Sequence, residues 1–174
     1  MAKIDDIKAL LGMTGDNSQD ARIELLITMA TAQIEAITGY KMAQEEISDE
    51  TYDGDASRMI LMRWMPITGI DKIEFKNGDA WDLVDPENYE LKGRSGQIFF
   101  SGSLPRGINN VRIKYTAGDA TLNPSLDAAL NEFICQMYTI RPGVKSESVD
   151  GASVSYADPS SISSHPIFSQ YIRI

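Results

Sequence analysis

Histidine and cysteine are almost missing from this sequence, which has one of each, His165 and Cys135. A single cysteine permits no disulfide within the chain and no thiolate metal cluster. A single histidine, in a serine-rich stretch beside Pro166, is a poor start for general-base chemistry. A Ser-His-Asp triad would need that imidazole fixed on a scaffold. Positive charge is also short. Sixteen Lys and Arg face 25 Asp and Glu, a net charge of −9. Such a chain repels a polyanion on average and lacks the basic footprint of a protein that grips phosphates. No apolar run approaches the ~18–20 residues that span a bilayer, so no membrane partner is expected. The opening Met1-Ala2-Lys3-Ile4-Asp5-Asp6 has no apolar signal core, and the expectation is a cytoplasmic chain without a secretory signal. Phosphate loops, dinucleotide fingerprints and zinc-ligand spacings do not occur.

What is present suits one ordinary globular fold: 174 residues, 43% hydrophobic and 24% charged. Ile4 to Leu11 reads as a short amphipathic helix stopped by Gly12. A longer helix is expected from Ser18 to Thr38, with Ile23, Leu26, Ile27, Ala30, Ile34 and Ile37 on one face and Gly39 as the stop. Met42 to Glu50 is acidic and polar. From Thr51 the pattern turns to short strands. Met59 to Met62 is an apolar run, Ile70 to Lys76 carries Ile73 and Phe75 on one face, and Asn77-Gly78 marks a type I′ hairpin. Tyr89 to Leu91 and Gln97 to Phe100 follow as strands. Val111, Ile113 and Tyr115 alternate with Arg112 and Lys114, the clearest half-buried strand in the chain. Asn123 and Pro124 open a second long helix with Leu126, Leu130, Phe133, Ile134 and Met137 on its stripe. The order predicts an α+β fold: a small helical bundle of two N-terminal helices plus one after the sheet, an antiparallel β section inserted at about 51–117, and an extended C-terminal arm. The body is expected over 1–143 and the arm over 144–174. The arm is rich in serine until Ile167, and Asp150-Gly151 lies between two stretches able to form a small hairpin.

Candidate chemistry is thin. Cys135, inside the last helix between Ile134 and Gln136, reads as a core residue rather than a nucleophile. Asp53-Gly54-Asp55 opens like a calcium loop, but Ser57, Arg58 and Trp64 stand where further ligands and the turn glycine belong. The acid pairs Asp5-Asp6, Glu45-Glu46 and Asp49-Glu50 read as solvated faces, because a catalytic pair needs two environments that split its pKa values. Trp64, Trp81, Tyr89, Phe99 and Phe100 gather in the β section. They read as core and interface aromatics, the competing reading being a platform for a ligand or a carbohydrate. No catalytic residue, metal or cofactor is expected.

From Tyr52 onward the chain resembles the head–tail connector proteins of long-tailed bacteriophages, also called adaptor, head-completion or DNA-packaging connector proteins. The resemblance rests on Tyr52-Asp53-Gly54-Asp55, Pro66 to Ile73, Gly96 to Phe99 and Asn110 to Gly118. It also includes the Asn123-Pro124 helix start, Ser146 to Gly151 and Val154-Ser155-Tyr156. The order of elements fits as well, two N-terminal helices, an inserted β section, a third helix and an arm, so the resemblance spans about residues 4–160. It implies a structural virion protein without enzymatic activity that forms a dodecameric ring beneath the portal. That ring extends the DNA channel and receives the head-closure (stopper) or tail-completion protein, and DNA passes through without sequence-specific binding. The implied location is the head–tail interface, with assembly in the bacterial cytoplasm, and the isolated subunit can be monomeric. The family's arm tends to contact the portal or a neighbouring subunit. Here the apolar end from Ile167 to Ile174 is richer than the family pattern, so Phe168, Tyr171, Ile172 and Ile174 are the expected docking residues.

Overall fold

The structure, a computed structural model, describes residues 3–139, 146–149, 152–155 and 167–171. Two units make up the chain: Met1–Thr38 with Leu122–Ile174, and Gly39–Thr121 between them. Helices from both ends of the sequence build the first unit and the β section builds the second, an α+β arrangement.

In the helical unit, α1 (Ile4–Leu10) and α2 (Asp20–Thr38) are joined by a loop that one buried lysine organises. The Lys8 ammonium donates to Asn17 Oδ1 at 2.6 Å and to Asp20 Oδ1 at 2.9 Å, which compensates for its burial. Helix α2 starts two residues later than the sequence suggests. The Ser18 amide is held in a tight turn by Asp16 Oδ1 at 2.8 Å and does not enter the helix. Ile23, Ile27, Ala30 and Ile34 are buried as expected, and each buried isoleucine stabilises the unit by ~1.5–3 kcal/mol relative to exposure. Ile37 is instead 42% exposed, and Thr38 is buried in its place with its hydroxyl donating to the Ile34 carbonyl. Helix α3 (Pro124–Thr139) is capped as its sequence predicts, the Ser125 amide donating to Asn123 Oδ1 at 2.9 Å. It buries Leu126, Leu130, Phe133 and Ile134.

The β unit has two antiparallel sheets. The larger runs in the order β1 (Glu45–Gly54), β7 (Gly107–Ala117), β3 (Ile67–Asn77), β4 (Ala80–Leu83). The smaller runs β2 (Met59–Leu61), β6 (Gln97–Phe100), β5 (Tyr89–Lys92). Their side chains share one core, centred on Ile73, Ile98, Val111, Ile113 and Tyr115. Strand β1 begins at Glu45, not at Thr51. An acidic run can be a strand here because cations meet it: Lys41 pairs with Glu45 at 2.6 Å and Lys114 with Glu46 at 2.7 Å. The β3–β4 hairpin forms, but Asn77 is its last paired residue, opposite Ala80, and Gly78-Asp79 makes the turn. Only Gly78 has positive φ there, so the turn is not type I′. Asn77 uses its amide to donate to Asp82 Oδ2 at 2.8 Å.

Within the arm, β8 (Ser146–Val149) and β9 (Ala152–Ser155) pair antiparallel as a hairpin. Its expected turn, Asp150-Gly151, lies outside the described residues, as does His165.

Candidate functional site

A bulge in β1 produces a strongly polar cluster in the β core. Ile47 pairs with Tyr115 and Glu50 with Ile113, so β1 has one residue more than β7 across that interval. Asp49 takes up the bulge with φ of 54° and is turned to the outer face, 3.7 Å from both Lys72 and Arg112. The extra residue restores Glu50 to the core side. Its Oε2 accepts from the Tyr52 and Tyr115 hydroxyls, both at 2.6 Å, and its Oε1 lies 3.2 Å from Arg63 Nε. The Arg63 amide in turn donates to the Tyr52 oxygen at 3.0 Å. Burial first, and the adjacent Glu50 carboxylate second, push both phenols well above the ordinary tyrosine range. Both phenol protons are held by the carboxylate, so the cluster is a lock on strand register rather than a proton-transfer site. It separates the Asp49-Glu50 pair onto opposite faces of the sheet.

The outer face of the large sheet is a ladder of alternating charge. Lys114 bridges Glu46 and Asp71, at 2.7 and 3.3 Å. Arg112 Nε donates to Glu74 Oε2 at 2.8 Å and its guanidinium lies 4.3 Å from the centre of the Trp81 ring. The Arg112 hydrogen bond, with further help from Lys72, holds the Glu74 carboxyl below the usual range. Lys114 does the same for Glu46.

The aromatics of the β section do not make a common platform. Trp64 has Lys41 4.4 Å from its ring centre, Trp81 has Arg112, and Phe99 has Lys92 at 4.7 Å. Phe100 is buried between Phe75 and Tyr89. The acids of the calcium-like turn serve the backbone: Asp53 accepts from the Asn109 amide at 2.7 Å and Asp55 from the Ser57 amide at 2.8 Å. Among the described residues no group of three or more His, Cys, Asp or Glu could hold a metal ion. Burial, and then Glu132, push the Cys135 thiol up, opposite to an activated nucleophile.

The arm's end returns to the helical unit. Residues Phe168–Tyr171 form a single 3₁₀ turn. Phe168 is fully buried, its ring edge-on to Phe133 with centroids 6.3 Å apart. Tyr171 is half-buried. Ile172 and Ile174 lie outside the described residues. The sequence could not show this seat for Phe168, because the partner ring lies 35 residues away on α3.

One further feature escaped sequence reasoning. Helix α2 presents a second apolar stripe, Leu25, Met29, Ala32 and Ala36, all exposed on the side away from its buried residues. Its spacing of i, i+4, i+7, i+11 was available to inspection, but the stronger Ile-rich stripe masks it.

A protein-family model described as "Head completion protein" matches residues 1–169. No curated protein matches the chain. Among solved structures, the chain is similar to one in the neck of an empty GTA particle computed with C6 symmetry. That match has 16% identity and a TM-score of 0.69, and covers 98% of this chain and 88% of the other. It is also similar to a chain in the neck of a native GTA particle computed with C12 symmetry (18% identity, TM-score 0.55, covering 88% and 83%). A third similarity is to a chain in the virion of a native gene transfer agent particle (16% identity, TM-score 0.54, covering 92% and 83%). At these identities the likeness establishes the fold.

Proposed function

The chain belongs to the head completion protein family, and on that premise we propose that it is a non-enzymatic ring subunit between the portal and the stopper or tail-completion protein. In this reading a dodecamer extends the DNA channel at the head–tail interface. The observation that carries it is the family match over nearly the whole chain, residues 1–169. Two physical features support it. The charge of −9 disfavours counterion-releasing grips on phosphate, which suits a wall past which DNA slides. The polar clusters serve strand register and turns, and among the described residues no cleft gathers convergent catalytic groups.

The arm's end docks on the portal or on a neighbouring subunit. Phe168 holds the segment on its own helices, and Tyr171, Ile172 and Ile174 supply the contact. The test of the ring is the copy number in purified particles, by quantitative mass spectrometry or microscopy of the head–tail junction. Twelve copies per head are expected, matching the C12 symmetry of the related neck. A single copy, or particles that lack the chain, would overturn the reading.

A further inference from the structure

The second stripe of α2 has no partner within the chain among the described residues, although Leu25 is 59% and Met29 43% exposed. Ala32 and Ala36 extend it along the same face. The face carries no acid: Glu24 and Glu35 lie roughly a quarter turn away at 3.6 residues per turn. Its margin carries one cation, Arg22, exposed, whose guanidinium rests 4.4 Å from the centre of the Tyr138 ring and donates to the Tyr138 carbonyl at 3.1 Å.

A shallow groove of about 690 Å³ runs between α1 and α3 in the same unit. Leu10, Ala128 and Cys135 give it an apolar lining, with Leu10 64% exposed. Asp6 and Glu132 give it acids, and among the described residues no cation lines it. Asn131 also lines it, and its carboxamide oxygen is buried with no hydrogen-bond partner among the described residues. A buried acceptor left unsatisfied costs roughly 1–3 kcal/mol, so an incoming donor there is favoured.

We propose that the outer stripe of α2 in one copy seats in the α1–α3 groove of a second copy. The inference rests on the ring reading and deepens it by naming the contact between neighbours. Three matches carry it. The stripe and the groove are both apolar. An acid-free face with an arginine at its edge meets a groove that bears two acids. The guanidinium N–H groups of Arg22 meet an unsatisfied acceptor. Ala32 and Ala36 on the stripe, and Ala128 in the groove, allow the close approach that helix packing needs. Because the two surfaces differ, the contact is head-to-tail, the type that generates rings when the rotation closes.

Native Cys135 in the groove makes the proposal testable. Leu25→Cys, Met29→Cys and Ala32→Cys are introduced in turn, and purified protein and assembled particles are treated with a mild oxidant or a short bismaleimide. At least one variant is expected to give a ladder running past the dimer on a non-reducing gel, and adding Cys135→Ala is expected to abolish it. A two-fold contact of like surfaces would stop at dimers. Arg22→Glu is expected to lower the cross-linking yield at least tenfold, and Glu132→Arg in the same chain to restore it. Monomers or dimers alone, from particles that still hold several copies, would overturn this interface and leave the ring intact. Particles without the chain would overturn the ring reading, and this inference with it.

Discussion

Glu50 keeps only 11% of its side chain exposed, on the core side of an edge strand, and three groups converge on it. Hydrogen bonds to a charged group contribute about 1.5–3 kcal/mol, more than neutral ones. Tyr115→Phe removes one donor to Glu50 without altering the ring's packing. It is expected to destabilise the β unit by about 1.5–3 kcal/mol, read as a lower urea midpoint at constant slope. An unchanged midpoint would show that the register lock contributes nothing. Glu74 on the opposite face gives a pH dependence of known sign. Arg112 lowers its folded pKa below the ordinary 4.5. Its stabilisation is therefore complete above that value and is lost as pH falls through the lowered folded value. Denaturation across pH 3 to 6 should show stability declining at the acid end, and Glu74→Gln should flatten that decline; a variant with the same pH slope as the parent would sink the assignment.

The elements differ in how plainly their residues announce them. Helices α2 and α3 were legible because local signals and burial agree: an Ile-rich stripe in one, and the Asn123 cap with Pro124 in the other. The β7 alternation was legible for the same reason. Strand β1 was hidden because most of its acids are matched from distant strands, Glu46 by Lys114, Asp49 by Lys72 and Arg112, and Glu50 by Tyr115, which no local window contains. The β3–β4 turn slipped by one residue because the Asn77 side chain is engaged by Asp82. Phe168 is the clearest case of a non-local contact. The sequence offers it as an anchor for another chain, and the structure seats it against Phe133 of its own. Phe168→Ala leaves a cavity there and should cost about 3–5 kcal/mol in the helical unit. Amide exchange should lose protection along α2 and α3 while Ile113 in the β unit keeps its own. Unchanged protection in α3 would mean that the seat contributes little.

At the scale of the whole molecule, the β section interrupts a helical unit whose pieces are separated in sequence by Gly39–Thr121. The helical unit therefore depends on contacts between α2 and residues over 80 positions later, and on the arm segment closing back on it. That arrangement makes two roles of the arm separable. Removing Ile167 to Ile174 deletes the Phe168 seat along with any docking residues, so its effect on assembly would mix a folding defect with a lost contact. Removing only Ile172, Arg173 and Ile174 leaves Phe168 on Phe133. If the arm's end docks on the portal or a neighbour, this shorter truncation should melt within a degree or two of the parent, since it removes no buried ring. It should nevertheless reduce the chain's incorporation into filled heads severalfold. Normal incorporation of the three-residue truncation would end the docking role of Ile172 and Ile174. A lowered melting temperature instead would assign those residues to the helical core.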